Sequence, residues 1–317
     1  MRSAALHSGA GIAARSSTCV TWAGALAHPA LIRSDGVTQP VPGFESTPFR
    51  LAAGTLVWIG CTGPLHPRTV LVNTTPADAA PLMMDADTQY SNWRWPETVG
   101  TQGFEATSAA KTASRAALGV MADYKPAGLA LLLTGAALPF PLSHRAVDAL
   151  ALTRACASND VTLFAQSATR LLGAGSGLTP SGDDFVGGAL FARRGTGADA
   201  AWRQAAQDIV ARAQQRTHVI SAALLADLAA GHSYAALHSL AAAVADADET
   251  AATRHASALV RIGASSGWDM LAGFIAGLCG TLNLHTAASP ARAPATAQAC
   301  FAPARNIHPS SPARCTA

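Results

Sequence analysis

Residues 173–188 read GAGSGLTPSGDDFVGG, a glycine- and hydroxyl-rich turn that leaves one helical pattern and runs into another. Before it, Val161, Phe164, Ala168 and Leu171 recur at helical spacing behind Asn159 or Asp160, either of which can start a helix. After it the same period continues, with helices predicted over 183–193, 198–214, 217–230, 233–244, 249–262 and 269–282. Another is predicted over 144–156 behind Ser143 as N-cap. Before residue 105 the pattern is different. Segments 49–59 and 68–73 are rich in Val, Leu, Thr and aromatic residues and are punctuated by Gly54, Gly60, Gly63 and Pro64, which predicts a small antiparallel sheet or barrel. The expected fold is therefore α+β: a small N-terminal β-rich region (1–104), then a mainly α-helical C-terminal domain (105–285) that carries the Gly/Ser turns. Residues 76–103 read as irregular, with Tyr90, Trp93 and Trp95 close together, a loop over a cleft or simply a cover for the sheet.

The chain has 317 residues, 50% of them hydrophobic, enough to bury a full core in one large domain or two ordinary ones. Charged residues make up only 13%, which favours close helix packing through small side chains and an assembly that hides surface. The net charge of +3 is matched by Arg292, Arg305 and Arg314 in segment 286–317, which has no acid or lysine, so the body is neutral (3 − 3 = 0). A neutral body without a basic run argues against nucleic acid as a partner. Five prolines among Ala and Ser in that segment predict a disordered tail. The six cysteines have no C-x-x-C pair and read as buried or idle thiols. Apolar runs 127–142 and 270–284 are shorter than a membrane helix needs and are broken by Pro or Gly, so no membrane span is expected, and without a leader pattern the expected location is the cytoplasm.

In the central turn, Gly175, Gly177 and Gly182 permit positive φ and close backbone approach, while Ser176, Thr179 and Ser181 supply hydroxyls. Free amides and the positive end of the following helix would suit a phosphate or carboxylate. A tight helix connection would explain the glycines by packing alone, but two adjacent acids, Asp183 and Asp184, favour binding or catalysis. One acid can cap the helix while the other faces a cleft, equipped to ligate Mg²⁺ or orient a substrate amine, although no dedicated metal site is read from the chain. Ser265, Ser266, Gly267 and Asp269 repeat the arrangement, so the two turns are expected to converge. Gly273 and Gly277 would then let the second helix pack closely on a neighbour. Thr217 and Ser221, one turn apart, are further hydroxyl candidates beside His218. The string Gly263–Gly267 matches G-x-S-x-G, but helix precedes it where a nucleophile elbow needs a strand.

The strings LLGAGSGLTPSGDDFVGGAL, THVISAALLADLAAGH and IGASSGWDMLAGFIAGL, in this order, resemble the three signature blocks of the bacterial AllH family. The third block differs mildly, with Ser265-Ser266-Gly267 where the family more often has Thr-Ser-Gly. The resemblance implies a subunit of oxamate carbamoyltransferase that works with two other carbamoyltransferase subunits in allantoin and purine catabolism. That enzyme interconverts oxamate plus carbamoyl phosphate with N-carbamoyl-2-oxoglycine plus phosphate. The resemblance transfers no catalytic assignment. Asp183, Asp184 and Asp269 are candidate catalytic residues on their own chemistry, and the Gly, Ser and Thr positions named above are candidate substrate contacts. Two other readings stay open: a non-catalytic scaffold that completes a partner's site, or a small-anion-binding enzyme that acts alone.

Overall fold

In the computed structural model, which describes residues 18–74, 81–84, 89–91, 106–197, 199–282 and 284, the β-rich region is an open six-stranded sheet. Its strands are β1 (Val20–Gly24), β2 (Gln39–Pro40), β3 (Phe49–Ala52), β4 (Thr55–Gly60), β5 (Thr69–Val72) and β6 (Gln89–Ser91), in spatial order β2-β3-β4-β5-β1-β6. Ala53 and Gly54 both take positive φ, 45° and 75°, the turn geometry that lets β3 and β4 close as a twisted hairpin. The expectation of an antiparallel sheet or barrel is corrected. The β4–β5 and β1–β6 pairings are parallel, and the sheet is open. The parallel step from β4 to β5 is made without a crossover helix, by a segment holding Gly63 and Pro64. Helix α1 (Ala27–Arg33), which the sequence reading missed, packs Ala27, Ala30 and Leu31 into the core beneath the sheet.

The rest is helical: α2 (Ala106–Asp123), α3 (Ala146–Ser158), α4 (Val161–Leu171), α5 (Ser181–Gly195), α6 (Ala200–Arg216), α7 (Val219–Ala229), α8 (Ala235–Ala245), α9 (Glu249–Leu259) and α10 (Ser266–Cys279). Two 3₁₀ turns, Gly128–Thr134 and Leu142–Arg145, lie between α2 and α3. The second of these absorbs Ser143, so the expected cap falls inside it and α3 starts later without a side-chain cap. Asp160 does cap α4, accepting from the Leu163 amide at 2.9 Å. The chain is thus α+β, with the sheet first and the helices after it.

Helices α5 and α10 form the centre. Both are apolar nearly all round and buried from the first turn onward, as expected for helices enclosed by others. They run side by side in the same direction, because the step from Phe185 against Gly273 to Ala189 against Gly277 advances along both helices; Gly188 lies against the Met270 carbonyl and Gly273 against the Phe185 carbonyl. A Cβ at either glycine would collide with that backbone. Gly277 likewise nests on Ala189, so both Gly273 and Gly277 do the packing work expected of them. Around this pair stand α2, α3, α7 and the first 3₁₀ turn. Burial pushes the Cys156 and Cys279 thiols up to about 12, which keeps them protonated as core residues. Among the described residues no single helix is long and apolar enough to cross a membrane. Trp93, Trp95 and segment 286–317 lie outside the described residues, as does the side chain of Tyr90.

The sheet meets the helices in two ways. Val41, Phe49 and Leu56 share an apolar cluster with Ile220 and Leu224 of α7. Beside it, Arg68 reaches Asp227 of α7 with two hydrogen bonds, Nε to Oδ2 at 2.5 Å and Nη2 to Oδ1 at 2.8 Å. This fork geometry is the strong form of an Arg–carboxylate pair.

A candidate site at two paired helix starts

Asp183, Asp184 and Asp269 are each buried, at 1%, 5% and 0% exposure. All three sit in the first turn of α5 or α10, where the helix dipoles favour negative charge. Sequence adjacency hides a division of labour. Asp183 accepts from the Gly173 amide at 2.7 Å with Oδ1 and from the Ser221 hydroxyl at 2.6 Å with Oδ2. It ties the glycine turn to α7, and both its oxygens are taken. Asp184 and Asp269 are different, because Oδ2 of each is buried and has no hydrogen-bond partner among the described residues. The other oxygen of Asp269 accepts from the Leu129 amide at 2.6 Å. Gly128, at φ 60°, has no side chain because the Asp269 carboxylate occupies that space.

The expected convergence is present. The Thr179 and Ser266 hydroxyls are 2.6 Å apart, and those of Ser181 and Ser265 are 3.4 Å apart, so each pair joins one turn to the other. The arrangement is nearly twofold. Ser181-Gly182-Asp183-Asp184 and Ser266-Gly267-Trp268-Asp269 share the pattern S-G-x-D. Gly182 nests against the Leu171 carbonyl and Gly267 against the Leu259 carbonyl, each on the helix preceding its turn. The acids act across the pair: Ser266 and Thr179 lie against Asp184, while Ser181 lies with Ser265 against Asp269. The repeat of S-G-x-D, with a second glycine six residues after the first in both copies (Gly188 and Gly273), was visible in the sequence as a twofold signal.

Burial dominates the titration of both free acids. It holds Asp184 well above the usual carboxylate range, with the nearby Asp269 charge pushing the same way and the Ser266 and Thr179 hydroxyls offsetting part of it. Burial also raises Asp269, to about 7, against the pull of the Ser181 and Ser265 hydroxyls and the Leu129 and Ala130 amides. Both carboxyls can accept N–H donors, and Asp269 can move a proton near neutral pH.

The anion cradle expected at the α5 start is largely used up internally. The Gly182 amide donates to the Ala174 carbonyl at 2.8 Å, and the Asp183 and Asp184 amides donate to the Pro180 carbonyl at 2.9 and 3.2 Å. Gly175, at φ 120°, is pressed against the Ser181 amide, where a Cβ would lie 2.7 Å from the nitrogen. Its role is to close the turn. Ser176 and Gly177 form an exposed lip, and Thr179, Ser265 and Ser266 are partly exposed above the buried acids. Thr217 is not brought to the cluster. It ends α6, and its buried Oγ1 has no partner among the described residues, while Ser221 is committed to Asp183. Among the described residues no group of three His, Cys, Asp or Glu side chains could hold a metal ion.

The segment that builds this cluster is also the one that comparison picks out: the family model described as oxamate carbamoyltransferase subunit AllH matches residues 171–278. Over these residues the chain is similar to the AllH family. No curated protein and no solved structure matches the chain. The AllH segment contains both S-G-x-D turns and α7 between them, so the matched residues are the paired helix starts and the clasp that Asp183 makes with Ser221.

Sequence reasoning missed part of the AllH segment's surroundings. Tyr234, whose phenol burial pushes up with help from Asp184 and Asp227, feels the charge of both the acid pair and the Arg68–Asp227 pair. Its ring lies 4.8 Å from that of His66, which burial holds well below its ordinary value and therefore neutral. No motif spacing could have joined residues 66, 68, 184, 227 and 234. His218, named in the sequence only as the neighbour of Thr217 and Ser221, caps α7 by accepting from the Ser221 amide at 3.5 Å and packs at a tilt on Phe44 with ring centroids 4.9 Å apart.

Proposed function

We propose that this chain is the AllH-type subunit of an oxamate carbamoyltransferase, and that the two S-G-x-D helix starts hold and deprotonate the amide-bearing substrate. The observation that carries the reading is the coincidence of the family match with two buried acids whose second oxygens lack partners. In the transfer, the bond from the carbamoyl carbon to the phosphate oxygen breaks and a bond from the oxamate nitrogen to that carbon forms. Phosphate leaves with the electron pair, and the nitrogen loses one proton. An amide nitrogen is a weak nucleophile until that proton is removed, so a base near pH 7 is what the step needs. Asp269 has that character, and the Ser181 and Ser265 hydroxyls lie between it and the partly exposed lip as a proton path. Asp184 accepts a substrate N–H.

The two turns, 173–184 and 263–269, carry no lysine or arginine to neutralise departing phosphate. Arg193 and Arg194 stand in the last turn of α5, about 18 Å from its start at 1.5 Å per residue. The missing positive charge is therefore assigned to partner subunits, and the chain alone is expected to be folded and inactive. Phosphate release from carbamoyl phosphate with oxamate, followed in a mixture of separately purified subunits, tests this. Activity should need the partners and fall at least a hundredfold with Asp269→Asn. Full turnover by this chain alone would refute the division of labour. Undiminished activity of the Asp269→Asn and Asp184→Asn assemblies would leave the scaffold reading in its place.

A further inference from the structure

At the far end of α5 from the paired acids, a half-open cavity of about 740 Å³ is enclosed by the C-terminal turn of α5, by α6 and by the end of α7. Arg193, Arg194, Arg203, Gln207 and His232 line it, over apolar walls that include Trp202. None of its lining residues carries a carboxylate. From this we propose that the cavity is a second ligand site, for a small molecule with two or more negative charges on phosphate or carboxylate oxygens attached to an apolar or planar body.

The site is built rather than incidental. Asn159, in the left-handed conformation at φ 55°, accepts with Oδ1 from Arg193 Nη2 at 2.6 Å and from Trp202 Nε1 at 2.8 Å. One amide thus fixes both the guanidinium and the indole, and the guanidinium carbon sits 4.3 Å above the ring. Arg193 Nε is buried without a hydrogen-bond partner among the described residues. Asp199, which is near enough to act on Arg193, lies outside the lining and is held at the α6 start, accepting from the Ala201 and Trp202 amides at 2.9 and 3.1 Å. Three guanidinium groups on the wall of one concavity create a positive field that only a multiply charged anion matches. The volume exceeds what bare phosphate fills and lies in the range of ordinary small-molecule sites, about 300–1,000 Å³.

This proposal does not depend on the carbamoyltransferase reading, because the two sites stand at opposite ends of α5. Isothermal titration of the full chain with AMP and with phthalate, a planar dicarboxylate, tests it and separates the phosphate source from the carboxylate source. At least one probe should bind one to one with a dissociation constant below 1 mM. The affinity should weaken as salt is raised and fall tenfold or more in Arg203→Ala, an exposed position where the fold is retained, and in Arg194→Gln. Ser266→Ala, at the other site, should bind as the unaltered chain does. No heat with either probe, or equal affinity in the two arginine variants, overturns the proposal, as does loss of binding in Ser266→Ala.

Discussion

Asp183 and Asp184 differ by one position and by everything their oxygens touch. Removing the Asp183 carboxylate strands the Gly173 amide and the Ser221 hydroxyl, both inside the protein, and each buried unsatisfied group costs about 1–3 kcal/mol. Asp183→Ala should therefore lower stability in chemical denaturation by several kcal/mol. Asp269→Asn should do the opposite at alkaline pH. Its carboxyl titrates near 7 when folded and near 3.8 in the ordinary case, so the folded state binds the proton more tightly. That stabilisation is complete below about pH 4 and is lost as pH rises through 7, where the buried group must ionise. The unfolding free energy of the Asn variant should match that of the unaltered chain near pH 4 and exceed it at pH 8, by an amount of order 1–3 kcal/mol, with a higher melting temperature there. A variant less stable at both pH values would show that the carboxylate is well satisfied in the folded chain. In the assembled enzyme, activity should rise with pH through about 7, because the base works only when deprotonated.

At the scale of elements, α5 and α10 depend on what is absent from their faces. Glycine inside a helix normally weakens it by about 1 kcal/mol relative to alanine, so an exposed helical Gly→Ala change stabilises. Gly273→Ala and Gly188→Ala should reverse that sign, because the new methyl meets the Phe185 or Met270 carbonyl of the partner helix. The expected result is a loss of about 1–3 kcal/mol or more, with the hydroxyl pairs at the helix starts pulled apart. Thermal melts of the two variants measure the first effect, and carbamoyl-transfer activity of the assembly reads the second. Unchanged melting would mean that the two helices can separate without cost.

For the whole molecule, the sheet is held on the helices by the Arg68–Asp227 fork beside an apolar contact. Arg68→Met leaves Asp227 buried without its cation, a change that costs about 3–5 kcal/mol where it has been measured. Pairing it with Asp227→Leu removes the stranded charge, and denaturant midpoints should recover most of the loss. Equal midpoints for the single and double variants would show that Asp227 finds water or another donor. The same clasp fixes the surroundings of Tyr234, so the single variant should also alter activity at the acid pair some distance away.

Local chemistry in the chain determined most of the helices, their order and the make-up of the two serine and glycine turns, since period and capping act over a few neighbouring residues, whereas the joining of those turns is a long-range contact. Asp160 before Val161 and the apolar face Phe164, Ala168 and Leu171 needed no distant contact to be read, and all three face residues are fully buried. The resemblance of 171–278 to one family was carried by the same contiguous strings. Tertiary structure alone decided which acid is free. Asp183 and Asp184 have identical side chains, and only the approach of Gly173 and Ser221 occupies one while burial leaves an oxygen of the other unpartnered. It decided the mixed sheet too, because parallel pairing of β4 with β5 is chosen by long-range register rather than by either strand's composition. The arginine cavity belongs to the same class: Arg193 on α5, Arg203 on α6 and His232 just past α7 are far apart in the chain, and no local rule of sequence places them around one space.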